Sequence, residues 1–183
     1  MMPRRSLSVR AGQGPRELAR LVIMGQAPGK NHGFGAAFEG PTGRRLARFC
    51  GFDTVEQLRE RALLVNLWGR YPGRAKWVQG DAFPPTDRAK RAAARRRAAL
   101  AASGCEVLVC CGRIVATSFG VGDAPFLEWR EVSLAPGKVA RTVVVPHPSG
   151  VSRWWQDPAS RGRASALLTE IVGAEVKGVS DGR

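Results

Sequence analysis

Along the chain, short apolar runs alternate with Ala- and Arg-rich stretches of helical period, the pattern of an α/β layer fold. Residues 18–24 (LARLVIM), 62–67 (ALLVNL), 106–111 (EVLVCC) and 139–145 (VARTVVV) are almost continuously apolar. Such runs suit strands buried on both faces of a parallel sheet. Residues 126–134 alternate only in part, which predicts a strand more exposed on one face. Between the runs, Pro41-Thr42-Gly43 opens a helix that Gly51 closes, and Asp53-Thr54 caps a short helix over 55–61. Pro84-Pro85-Thr86 caps the longest helix, 87–103, ended by Gly104; Gly112 starts another that runs to about Phe119, and a closing helix spans 158–172. The elements predict one domain with a central, mostly parallel four-stranded sheet flanked by helices in three layers. No repeat of fixed period appears.

A chain of 183 residues, 44% of them hydrophobic, suits a single domain with a real core. We divide it into a basic N-terminal segment 1–17, a domain 18–172 and a flexible tail 173–183. No apolar run approaches the ~20 residues of a membrane span, and no secretory leader is legible at the start. A cytoplasmic monomer is the expectation. The four cysteines, Cys50, Cys105, Cys110 and Cys111, lack CxxC spacing and read as core side chains, so neither metal nor cofactor is expected.

Charge changes the picture more. Lys and Arg outnumber Asp and Glu by 29 to 15, a formal net charge of +14. A field of that sign attracts polyanions, nucleic acid first among them. Six of the basic residues lie on the helix over 87–103, where a solvated outer face is the plainer reading.

In open parallel sheets, reactive groups gather beyond the carboxyl ends of the strands. Three segments sit there: Gly25-Gln26-Ala27-Pro28-Gly29, Asn66, and Pro146-His147-Pro148-Ser149-Gly150. Together with Phe38-Glu39-Gly40, and in the same order, they resemble the signature regions of the uracil-DNA glycosylase superfamily. The first resembles the GQDPYH of the classical enzymes and the GEAPG of a thermostable bacterial and archaeal family, and HPSGVS resembles HPSPLS. The resemblance spans roughly residues 18–168.

That resemblance implies an enzyme that flips a damaged pyrimidine out of DNA and hydrolyses its N-glycosidic bond. Cleavage leaves a pyrimidine anion and a sugar of oxocarbenium character, so a donor must meet the developing negative charge and a water must be placed. His147 is similar to the histidine that bonds the departing base. Asn66 offers the acceptor and donor needed to read a pyrimidine edge, and Phe38 matches the stacking aromatic. Gln26, Ala27 and Gly29 would line the base pocket. Ser149 would hold a flanking phosphate, and Val151, Ser152, Arg153 and Trp154 stand in the place of the loop that wedges into the duplex. Trp154 and Trp155 equally suit an anchor for the last helix.

Two features depart from the pattern. Ala27 stands where the classical enzymes carry the acid that orients the water, as it does in the GEAPG family, which leaves Asn31, His32 and Glu39 as candidates, with Asn31 and Glu39 preferred. The GEAPG enzymes hold an iron-sulfur cluster on four cysteines, yet no cysteine precedes Cys50 here. The expected activity is excision of uracil or a related, 5-substituted pyrimidine. The alternatives are a DNA-binding module that has lost catalysis and an enzyme acting on a hypermodified base.

Overall fold

The computed structural model describes residues 20–30, 37–74, 86–149 and 152–177. Five strands build one sheet: β1 (Leu21–Gly25), β2 (Leu63–Asn66), β3 (Val107–Cys111), β4 (Trp129–Ala135) and β5 (Lys138–Val145). Their order is β2-β1-β3-β5-β4, with β4 alone antiparallel. The expected count of four is thus corrected to five. Val132 and Leu134 of β4 are buried while Glu131 and Ser133 are exposed, and that half-apolar strand closes the sheet as an edge.

The parallel strands are covered on both sides, which is why they read as continuous apolar runs. Successive side chains of a strand point to opposite faces. Leu21, Ile23, Val109, Cys111, Val143 and Val145 face α1 (Gly40–Phe49), α2 (Val55–Arg59) and α5 (Pro158–Lys177). On the other side Val22, Met24, Leu108, Cys110 and Val144 pack against α3 (Thr86–Ser103) and α4 (Arg113–Ser118). The cysteines divide with them, Cys50 and Cys111 into the first core and Cys105 and Cys110 into the second. The sheet keeps the pairs apart, so these four cannot meet on one cluster. Burial pushes the Cys50 and Cys110 thiols up to about 12 and holds that of Cys111 well above its ordinary value, the opposite of what a thiolate ligand needs.

Local signals account for the helix ends. Thr54 accepts from Gln57 N while Gln57 reciprocates to the Thr54 amide, a complete capping box for α2. Asp157 caps α5 through the Ser160 amide at 2.8 Å, and its carboxyl is held below the ordinary range chiefly by Ser160. The closing helix continues past the expected end at 172 to Lys177, so the first residues of the supposed tail are helical. The N-terminal segment 1–17 and residues 178–183 lie outside the described residues. Among the described residues no helix is long and apolar enough to cross a membrane.

Candidate active site

The strand order places a switch point between β1 and β3, the crevice where open α/β sheets bind ligands. Backbone hydrogen bonds tie the strand ends together around it. Gly25 O accepts from Leu67 N and Gln26 O from Trp68 N, each at 2.8 Å, and Gly112 N donates to Val145 O at 2.8 Å. The turns after β1, β2, β3 and β5 therefore share one rim.

Three sequence-distant side chains approach the end of β1. A Cβ placed on Gly25 would lie 2.7 Å from Asn66 Oδ1 and 2.9 Å from Phe38 Cζ. Only a glycine leaves room for the carboxamide and the ring to come so close to the backbone. Asn66 is 9% and Phe38 6% exposed. Among the described residues no fully enclosed side-chain nitrogen or oxygen lacks a partner, so the Asn66 carboxamide is not an enclosed orphan.

Phe38 is held in a conformation that local preference opposes. Its φ is 59°, left-handed for a residue with a Cβ, which costs ~1–3 kcal/mol. The surroundings impose it. Arg59 Nη2 donates to Ala37 O at 2.9 Å. The first turn of α1 packs so closely on the preceding chain that a Cβ on Gly43 would stand 1.6 Å from Phe38 O.

On the far side of the crevice, a Cβ on Gly112 would lie 3.2 Å from Gln26 Nε2 and 3.3 Å from His147 Cβ, and Gly112 has φ 97°. Gln26 and His147 thus flank the end of the central strand. His147 Nδ1 accepts from Ser149 N at 3.3 Å. A neutral imidazole that accepts at Nδ1 carries its proton on Nε2, which makes Nε2 a donor. The backbone of this loop is pinned from two sides: Trp155 Nε1 donates to His147 O at 2.9 Å, and Arg45 Nη1 donates to Pro148 O at 3.2 Å. Trp155 is buried, stacked on Phe49 at 4.1 Å between centroids.

The remaining candidates fall around this centre. Ala27 is half-buried and Gly29 exposed on the first turn. Glu39 is half-buried at the N-cap of α1, next to Phe38. Ser149 and Ser152 are half-buried and joined by a Ser152 N to Ser149 O bond of 3.4 Å. Arg153 is exposed, whereas Trp154 lies edge-on to Phe126 and Trp155. Asn31, His32, Gly150 and Val151 lie outside the described residues. In the sequence Gly112 reads only as a helix start, although β3 announces itself as a buried strand and its end had to share the crevice. Trp155 and Arg45 escaped as supports for the histidine loop, since both act through backbone carbonyls that no motif records.

Trp155→Phe removes the donor to His147 O and keeps an aromatic ring against Phe49. The net loss of ~1 kcal/mol should lower the Tm by ~2–4 °C. Displacement of the loop should lower the single-turnover rate about tenfold while substrate affinity is nearly kept. A normal rate in the melted-down variant would reduce Trp155 to a purely structural anchor.

An aromatic ring, a carboxamide and an imidazole thus stand around the strand ends of one crevice. The family model described as the uracil DNA glycosylase superfamily matches residues 11–171, and the chain belongs to that superfamily. Membership implies a DNA glycosylase, a hydrolase of DNA repair that acts on DNA. No curated protein matches the chain.

Proposed function

We propose that the protein is a monofunctional glycosylase that flips uracil, or a uracil substituted at C5, out of DNA and hydrolyses its N-glycosidic bond. The observation that carries this reading is the approach of Asn66 and Phe38 to Gly25, with only the end of β3 at Gly112 between them and His147. Phe38 stacks on the extruded base, and Asn66 accepts from its ring N–H and donates to a carbonyl. Gln26 and the amides of its turn face the other polar edge.

As the C1′–N1 bond breaks, its electron pair passes to the base. The Nε2–H of His147 donates to the oxygen where that charge collects, a contact worth ~3–4 kcal/mol. Water delivers hydroxide to C1′, and its proton leaves to solvent or to the base. With Ala27 where the classical acid would stand, Glu39 or Asn31 orients the water. Ser149 holds the phosphate beside the flipped sugar, and residues 151–154 occupy the gap in the duplex, with Arg153 the exposed basic group among them.

The test is release of free base from oligonucleotides containing uracil, 5-hydroxymethyluracil or hypoxanthine, followed by alkaline cleavage at the abasic site. Uracil release at single-turnover protein excess is the expected result. DNA binding without release of any base would favour the second reading, a binding module that has lost catalysis, for which Ala27 is the specific observation.

A further inference from the structure

Beside the base pocket lies a separate groove of about 550 Å³. It runs between the chain just after β2 and one face of α3, lined by Leu67, Trp68, Arg70, Ala92, Arg95 and Arg96 among others. Three guanidinium groups and an indole meet here. Among the described residues the ion pairs are Arg20–Glu106, Arg59–Glu56 and Arg130–Glu128, so none of the three groove arginines is neutralised by one. Arg97, their neighbour, is engaged elsewhere, over the Phe119 ring at 5.1 Å. Burial, and next the charge of Arg95, lower the pKa of Arg96 from its ordinary value. That crowding of like charge is relieved by an anion.

The groove is also close to the first site in chain terms. Trp68 is two residues beyond Asn66, a reach of at most ~7 Å, and Trp68 N is bonded to Gln26 O of the base-pocket turn at 2.8 Å. Stacked nucleotides on one strand rise ~3.4 Å each.

We propose that this groove is a subsite for the DNA strand that continues from the flipped nucleotide: Arg70, Arg95 and Arg96 take one or two of its phosphates and Trp68 stacks against an adjacent base. The inference rests on the reading of the neighbouring crevice as the entry point of a DNA strand. Trp68 packs on one side against the α3 core and is half-buried, which leaves part of its surface for a base. An arginine pair with an aromatic is the usual equipment for a single strand, since phosphate contacts supply affinity and every base has a face to stack. The solvated-face reading of α3 therefore holds for Arg88 and Arg91, both exposed and outside this lining, but not for its third turn.

Binding of a uracil-free oligothymidylate to the full chain tests the groove apart from catalysis. Arg95→Gln with Arg96→Gln should weaken it about tenfold or more and lower the slope of log affinity against log salt by ~1.4, two phosphates at ~0.7 each for a single strand. Arg88→Gln with Arg91→Gln removes the same charge from the same helix and should change affinity less than twofold. Trp68→Leu keeps an apolar filler and should weaken binding about fivefold. Equal losses from the two arginine pairs would mean a diffuse field without a subsite and overturn the proposal. So would selective loss of duplex binding with oligothymidylate unaffected. If the first pair loses oligothymidylate affinity in a protein that releases no base, the groove stands and the catalytic reading falls.

Discussion

Asn66→Ala and His147→Ala will each lower the single-turnover rate of uracil release by at least ~100-fold, the scale of losing one preorganised donor to a developing oxyanion. Asn66 is the last residue of β2 and His147 lies in the loop after β5, and the backbone bonds around them run to neighbouring strands or to the Trp155 and Arg45 side chains, so the sheet keeps its register without either side chain. Circular dichroism and Tm close to the parent protein are expected. The two substitutions differ in where the loss appears. In the proposed mechanism Asn66 reads the base before and during cleavage, so its removal should weaken binding as well as rate. In the same mechanism His147 meets a charge that exists only as the bond breaks, and its removal should fall on the rate alone. An unchanged rate in either variant removes that residue from the mechanism.

The second large effect concerns the 5-position of the base. Gly29 stands where the classical GQDPYH has its tyrosine, whose ring lies against C5 and excludes a methyl group. Here the position is exposed and carries no side chain. A steric wall discriminates by ~1–3 kcal/mol per methylene, up to ~200-fold, and without it 5-hydroxymethyluracil or 5-fluorouracil should be released within about tenfold of uracil. Thymine in a stable pair stays protected because extruding it costs more. Gly29→Tyr should restore selectivity against the substituted bases and spare uracil. Release of 5-hydroxymethyluracil more than ~1,000-fold slower than uracil, unaltered by Gly29→Tyr, would place the wall on another residue.

The parts of this protein that were legible in its sequence are those with a short-range cause. Four buried strands show as apolar runs because helices cover both their faces, and Thr54, Gly51 and Gly104 mark helix ends by capping chemistry. Asn66 stands out as a buried carboxamide at the end of such a run, and His147 as the histidine of the HPS segment just past another. What escaped is set by contacts between segments far apart in the chain. Gly112 looks like an ordinary helix start until β3 is seen to stand between β1 and β5. Arg45 and Trp155 reach the histidine loop across sequence separations of 103 and 8 residues. The groove on α3 depends on Trp68 meeting Arg95 and Arg96, which no local pattern places together. The strand over 126–134 was legible too, but its half-polar pattern does not show that it joins the sheet beside β5, which is why the count of four fell short of five.

The left-handed Phe38 has a kinetic meaning as well as a structural one. Its backbone is already in its costly state in the absence of DNA, clamped by the Gly43 turn and by Arg59. If the crevice takes an extruded base as proposed, the ring is already in place and an arriving base does not have to organise it. Little ordering entropy would then be left to be lost inside the pocket upon capture. Selection between damaged and normal nucleotides would fall mainly on the opening equilibrium of the DNA itself, with weak or mismatched pairs presented most often.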